Sequence, residues 1–190
     1  HLSKNLKKSL FAPKYQIKVL FCPNCLTAFQ KKILDKKTLF PFDYHYRARN
    51  TNDVINGMKG LVNEVENKIG KLNGKLVLDV GCNDGSLLDF FKQKKCKTYG
   101  VEPTGAFKIA KKNHKVFNCY IDKKFVLEFK KKFGNPDIIT FTNVFAHIEN
   151  FKDLINSIKN LITKETLIVI ENHYLGEVIK KNQFDTFYHE

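Results

Sequence analysis

Between residues 75 and 171, short apolar runs alternate with longer stretches whose apolar residues recur at helical spacing. Leu76, Val77, Leu78 and Val80 make Lys75–Val80 read as a buried strand. Tyr99–Val101, Val116–Ile121, Asp137–Thr142 and Thr166–Glu171 read as four more. Helical spacing follows Ser86 (Leu87, Leu88, Phe90, Phe91) and continues over 104–113, around 125–133 and over 151–162. Pro103 suits a helix start, and Gly134-Asn135-Pro136 a helix end. The alternation predicts an α/β fold, a Rossmann-like parallel sheet with helices on both faces. The sheet is expected to be incomplete, because no closing antiparallel strands follow Glu171. Upstream, Val54, Met58, Leu61, Val62, Val65 and Ile69 predict a helix, capped by Thr51 or Asn52 and closed by Gly70. Tyr15–Phe21 reads as a strand that runs into Cys22-Pro23-Asn24-Cys25.

The strand at 75–80 ends in Asp79-Val80-Gly81-Cys82-Asn83-Asp84-Gly85 and a helix start at Ser86. A strand, a glycine turn and a helix N-terminus make a nucleotide-binding corner. It is not the dinucleotide fingerprint G-x-G-x-x-G, because Asn83 and Ser86 stand at the second and third glycine positions. No Gly-Lys-Ser/Thr follows, so it is not a phosphate loop of the Walker type. The residual pattern, D-x-G-x-x-x-G, resembles motif I of the class I S-adenosylmethionine-dependent methyltransferases. Glu102 follows at about the distance where an acidic residue meets a ribose. Its two oxygens can accept from both ribose hydroxyls. The bland reading of each feature is an ordinary glycine turn and a surface glutamate.

Composition narrows the picture little. Hydrophobic residues make up 43% and charged residues 27% of the 190, as in an ordinary globular protein. No apolar run reaches the length of a membrane span, and the N-terminal residues lack a signal-peptide core, so a cytoplasmic location is expected. The net charge of +14 invites a nucleic-acid reading. However, the excess is scattered lysine, and the only arginines are Arg47 and Arg49, against a dedicated phosphate or base reader. An anionic small-molecule substrate suits the charge equally well. Five cysteines do not suggest a disulfide framework. Cys22 and Cys25 form half of a zinc ribbon, two of the four ligands a structural site requires, so zinc is a possible second cofactor. Two unliganded cysteines are the alternative.

Three further segments narrow the family. Tyr44-His45-Tyr46-Arg47 lies in an aromatic connector that begins Phe40-Pro41-Phe42-Asp43. Asn143-Val144-Phe145-Ala146-His147-Ile148 follows the fourth strand of the sheet, and Phe184-Asp185-Thr186-Phe187-Tyr188-His189-Glu190 ends the sequence. With Asn83–Leu88 and Val101-Glu102-Pro103, these resemble the nucleotide-sugar C-methyltransferases, from about Tyr15 to Glu190. The resemblance implies an N-terminal zinc-binding module and connector over residues 1–50 and an S-adenosylmethionine-binding domain over 51–190. The family's first zinc pair, its C-terminal domain and the histidine base after Tyr-His-Glu have no counterpart here, so a fragment with little sugar methylation of its own is expected. The implied reaction is methylation of a carbon beside a ketone, on a deoxysugar carried by a nucleoside diphosphate. A base removes the α proton, and the enolate takes the sulfonium methyl.

By the same resemblance, Asp79, Gly81, Asn83, Asp84, Gly85, Ser86, Leu87, Glu102, Pro103, Asn143 and Phe145 are candidates for the cofactor site. His147, Tyr188, Glu190 and either Tyr44 or Tyr46 are candidates for catalysis, and Cys22 and Cys25 for metal. Three other readings compete. The acceptor could be oxygen or nitrogen of another small molecule. The chain could be a non-catalytic remnant, or a basic Rossmann-like protein binding nucleic acid or a partner. No oligomeric state follows from the sequence.

Overall fold

The computed structural model describes residues 16, 18–32 and 34–183. Tyr15, Tyr188 and Glu190 therefore lie outside the described residues. The chain divides into two compact units, residues 1–34 with 176–190, and residues 35–175. The connector, residues 40–49, falls in the larger unit.

In the smaller unit, β1 (Val19–Cys22) pairs antiparallel with β2 (Thr27–Gln30), and Cys22 stands opposite Thr27. The sequence predicted only the first strand. Cys22-Pro23-Asn24-Cys25 is the tip of a hairpin, and Leu26 turns it with φ of 54°. Glycine adopts that left-handed conformation without a steric penalty, whereas leucine does not. Phe21, Leu26 and Phe29 are exposed along the hairpin.

The larger unit is organised by β3 (Leu76–Val80), buried along its whole length. It is flanked by β4 (Lys97–Val101) and β6 (Ile138–Thr142), with β5 (Lys115–Phe117) and β7 (Leu167–Glu171) outside them. The order is β5-β4-β3-β6-β7 and every pairing is parallel. The chain thus builds outward from β3 and returns to its other side at β6. Parallel α/β sheets bind ligands at such a reversal, above the C-terminal ends of the two central strands.

Strand alternation separates two apolar layers. Leu76, Leu78, Val80, Ile139 and Phe141 pack with α5 (Lys123–Phe133) and α6 (Phe151–Lys159) through Phe125, Phe129, Leu154 and Ile158. Val77 and Ile138 pack with α2 (Asn52–Ile69) and α3 (Ser86–Gln93) through Val62, Val65, Leu87, Leu88 and Phe91. Helix α2 has the expected span and stops at Gly70, whose φ is 80°. The Thr51 side chain makes no capping hydrogen bond to it. Asp122 caps α5 instead, accepting from Phe125 N at 2.7 Å.

Two elements are shorter than the sequence predicts. The helix expected over 104–113 is reduced to α4 (Phe107–Ala110). Its first turn is wound by i→i+3 bonds, Phe107 N to Thr104 O (3.3 Å), Lys108 N to Gly105 O (3.2 Å) and Ile109 N to Ala106 O (2.9 Å), while Gly105 N donates to Phe42 O at 2.6 Å. A Cβ at 105 would lie 2.7 Å from that oxygen, so only glycine permits the approach. Strand β5 stops at Phe117. Beyond it, Asn118 Nδ2 donates to the carbonyls of Glu102 (2.8 Å) and Pro103 (3.0 Å), drawing the chain out of the ladder. Among the described residues, five short elements went unread: α1 (Lys36–Leu39), β2, α7 (Leu175–Lys180) and two single-turn 3-10 helices, Ala48–Asn50 and Phe145–His147. No described helix is long and apolar enough to cross a membrane.

Phe129 joins α5 to the sheet. It is 2% exposed, with ring centroids of Phe133, Tyr99 and Phe125 at 5.1, 5.3 and 5.6 Å. Phe129→Ala is expected to destabilise the fold by about 3–5 kcal/mol, through lost burial and a residual cavity. Urea unfolding checks this, as a lower midpoint with an unchanged slope.

Candidate functional site at the sheet reversal

The turn after β3 is left-handed at three positions, two of them glycine. Gly81, Asn83 and Gly85 take positive φ of 76°, 49° and 84°. At Gly81 a Cβ would come within 2.4 Å of Val144 Cγ2, so this glycine is required by packing as well as by conformation. Gly81 N and Cys82 N both donate to Val101 O, at 2.8 and 3.1 Å, which fastens the turn to the end of β4.

Three carboxylates hold the turn from within. Glu102, 4% exposed at the end of β4, accepts from Asn83 N at 2.8 Å through one oxygen. Its other oxygen accepts from Thr104 N (2.8 Å) and Thr104 Oγ1 (2.6 Å). Asp84, whose side chain is fully buried, accepts from Ser86 N (3.1 Å) and Ser86 Oγ (2.6 Å) with Oδ1. Its Oδ2 receives Arg49 N and Arg49 Nε, each at 3.1 Å. Asp79, 1% exposed, accepts from Thr140 Oγ1 at 2.6 Å across the β3–β6 ladder. The second oxygen of Asp79 has no hydrogen-bond donor among the described residues.

Proximity of these charges shows in their acidities. Burial, then the charge of Glu102, raises the Asp79 carboxyl to about 7, against the opposing hydrogen bond from Thr140. Cys82, buried in the turn, has its thiol pushed up by burial and then by the charges of Asp79, Glu102 and Asp84. Asp84 differs. Burial would raise it too, but the Ser86 hydroxyl and the Arg49 N–H groups and charge outweigh that and hold it below its usual range. Behind the turn, His114 contacts Thr98 Oγ1 at 2.9 Å and Asp89 Oδ1 at 3.0 Å. Burial lowers its pKa despite Asp89.

The connector lies along the C-terminal ends of the strands. Lys36 N donates to Glu149 Oε1 at 3.0 Å, and the Lys36 ammonium sits 4.7 Å from the Tyr120 ring centroid. Phe42 O meets Gly105, as above. Ala48 N donates to Asn83 Oδ1 at 3.3 Å, and Asn83 Nδ2 to Tyr46 O at 3.2 Å. Phe40 stands between two candidates, 5.1 Å from the His147 ring and 5.5 Å from the Tyr44 ring. Tyr44 is 6.4 Å from Tyr46. Tyr44, Tyr46 and His147, separated by a hundred residues of sequence, thus share one aromatic cluster beside the reversal.

The remaining candidates have mixed surroundings. Asn143 sits at the edge of β6 with φ of 53°, its side chain donating to Glu171 Oε1 at 2.9 Å. Phe145 packs edge-on with Phe141 and Phe151, at 5.4 and 4.8 Å. Leu87 is core, and Ser86 serves Asp84. The Pro103 carbonyl accepts from Asn118. Among the described residues, no group of three or more His, Cys, Asp or Glu could hold a metal ion. At the hairpin tip, hydrogen bonds from Thr27, then Cys22, hold the Cys25 thiol below its usual pKa. Sequence reasoning missed Arg49, Asn118 and Val144. The placement of both arginines of a lysine-rich chain in one connector was the available signal for the first.

Comparison with known proteins agrees with this architecture. The model of a methyltransferase domain matches residues 52–189, and the chain belongs to that family. Its fold is the Rossmann-like fold of class I methyltransferases. C-methyltransferase NovU of Streptomyces niveus is 27% identical over 182 residues, covering 93% of this chain and 42% of that protein. The chain therefore spans less than half the length of that relative. Among solved structures, the plantazolicin methyltransferase BpumL, in complex with SAH and a substrate analogue, aligns with a TM-score of 0.54 at 16% identity. That alignment covers 72% of this chain and 53% of BpumL. A putative S-adenosylmethionine-dependent methyltransferase of Methanococcus maripaludis aligns with a TM-score of 0.50 at 14% identity, covering 74% and 73% of the two chains.

The Asp79 pKa sets a pH dependence. Its folded value, about 7, lies above the ordinary 3.8, so protons bind the folded state more tightly. This contribution to stability is present below about pH 4 and is lost as pH rises to about 7. Asp79→Asn, which keeps an acceptor for Thr140, is expected to remove that loss. Melting temperatures of variant and wild type should be close near about pH 4 and diverge in favour of the variant toward about pH 8.

Proposed function

We propose that this domain binds S-adenosylmethionine at the Gly81–Gly85 turn and directs its methyl group to carbon, on a keto-deoxysugar carried by a nucleoside diphosphate. The observation that carries the cofactor is the ring of buried carboxylates around the turn, with one Asp79 oxygen lacking a described donor. A pyrophosphate would be repelled there, whereas a ligand bearing ammonium and sulfonium charges offsets the buried negative charge. Glu102 uses three of its roughly four acceptor positions inside the protein, leaving about one for a ribose hydroxyl.

When bound, S-adenosylmethionine supplies an electrophilic methyl group. The chain's own residues do the rest of the work. Asp79 complements positive charge, Glu102 fixes the ribose end, and Gly81 keeps the backbone open to close approach. Tyr44, Tyr46 and His147 form the polar and aromatic wall for the acceptor. From there His147 or a tyrosine hydroxyl orients the sugar ketone and stabilises the negative charge that develops on its oxygen as a general base takes the α proton. Carbon methylation is supported by the likeness to C-methyltransferase NovU, and the sugar acceptor by the family resemblance of the connector and the Tyr188-His189-Glu190 motif. Tyr188 and Glu190, as orienting groups, enter from the family motif alone. Cys22 and Cys25 supply two of the four ligands of a structural zinc site, and the described residues do not complete the set.

Calorimetric titration with SAH tests the cofactor. The wild-type chain is expected to bind, and Asp79→Ala and Glu102→Ala to weaken binding by about tenfold or more, since each removes a charge-assisted contact. A folded wild-type chain with no SAH binding overturns the reading. For the acceptor, transfer of labelled methyl to a nucleotide-linked keto-deoxysugar should give a carbon–methyl product by NMR; an O- or N-methyl product overturns the carbon assignment.

A further inference from the structure

Arg49 reaches the glycine turn from 35 residues away and touches it three times. Its backbone N–H and its Nε both meet Asp84 Oδ2 at 3.1 Å, and its Nη2 donates to Asp84 O at 2.8 Å. The guanidinium is half exposed, but the carboxylate it meets is completely buried. Arg49 and Ser86 together fill all of the roughly four acceptor positions of Asp84. Asp84 therefore has nothing left to offer a ligand, and serves to tie the turn to the connector. One residue earlier the tie is repeated: Ala48 N donates to Asn83 Oδ1, which also accepts from Asp84 N at 2.9 Å. The same connector is braced from within, since Arg47 Nη1 donates to the carbonyls of Tyr44 and Tyr46, both at 2.6 Å.

We propose that Arg49 is a positioning residue for the cofactor, and that the Arg49–Asp84 tie couples cofactor binding to the placement of Tyr44 and Tyr46. The inference rests on S-adenosylmethionine binding at the turn. A turn with glycine at two of its three left-handed positions has many backbone conformations open to it, because glycine takes either sign of φ at little cost. Arg49 restricts it to the one in which Asn83 N points at Glu102 and Gly81 faces the reversal. A ligand that needs that conformation binds more tightly when the connector is seated. By thermodynamic reciprocity, the connector is then held more firmly when the ligand is bound. Lysine cannot reproduce this role, because it lacks the planar fork that meets a carboxylate and a carbonyl together. The consequence for the reaction is mutual: a bound cofactor and a seated acceptor wall stabilise each other.

SAH titration and hydrogen exchange on the wild-type chain, Arg49→Lys and Asp84→Asn test this together. Arg49→Lys is expected to lose about tenfold in SAH affinity, the worth of one charge-assisted contact. In the wild type, SAH should slow exchange of the Ala48 and Arg49 amides, which donate to Asn83 and Asp84. In Arg49→Lys and Asp84→Asn that slowing should disappear. The double variant should bind no worse than either single one, since both remove the same tie. If Arg49→Lys melts lower but binds SAH as tightly as wild type, with the same slowing, the residue is structural only and the proposal is overturned. Weaker binding with the slowing retained overturns the coupling. A wild type that fails to bind SAH overturns the cofactor reading and this inference with it.

Discussion

The Asp84 carboxylate receives Ser86 from the start of α3 and Arg49 from the connector, and through these contacts two distant pieces of chain share one buried charge. A carboxylate in that position is tolerable only because its acceptor positions are filled; with one partner removed, the burial cost of the charge returns in full. The turn geometry depends on the same condition. Asn83 holds a left-handed backbone between Glu102 on one side and Ala48 on the other. The nucleotide corner is thus a product of side-chain clamps laid over a glycine pattern.

Around that clamp the protein concentrates negative charge inside a positively charged chain. Asp79, Asp84 and Glu102 are all nearly inaccessible, yet the net charge is +14. The two facts act at different ranges. Surface lysines are solvated and screened beyond about 8–10 Å at ordinary ionic strength. Burial first, and then the neighbouring carboxylate charge, raises the pKa of Asp79 and of Cys82. Local charge, then, selects what can sit on the turn.

The parallel sheet explains why these pieces meet. Reversal of strand order between β3 and β6 marks the place where parallel α/β sheets form a ligand crevice, and Gly81, Glu102 and Asn143 stand just past the ends of β3, β4 and β6. The connector occupies the rim of that crevice. Its contacts with Gly105, Asn83 and Asp84, with that of Lys36 just before it to Glu149, follow the C-terminal ends of the strands from one side to the other.

Much of this was legible from the sequence. Apolar runs at period two and near 3.6 marked the five parallel strands and their helices, because burial of one or both faces imposes those periods on any chain. The glycines of the turn and Glu102 at the next strand end were legible for a similar reason: backbone conformation and strand-end position are local properties. The fates of Asn83, Asp84 and Ser86 were not. All three stand in a cofactor motif, yet their side chains bind the connector and one another, and only the folded chain brings residues 46–49 within reach. The short β5 has the same origin, as Asn118 takes carbonyls of Glu102 and Pro103 that local propensity left to a strand. Hydrophobic periodicity is written along the chain, so sequence determined the layers. Hydrogen-bond partners are chosen across it, so tertiary structure alone decided which polar residues clamp the turn and which carboxylate keeps an oxygen for a ligand.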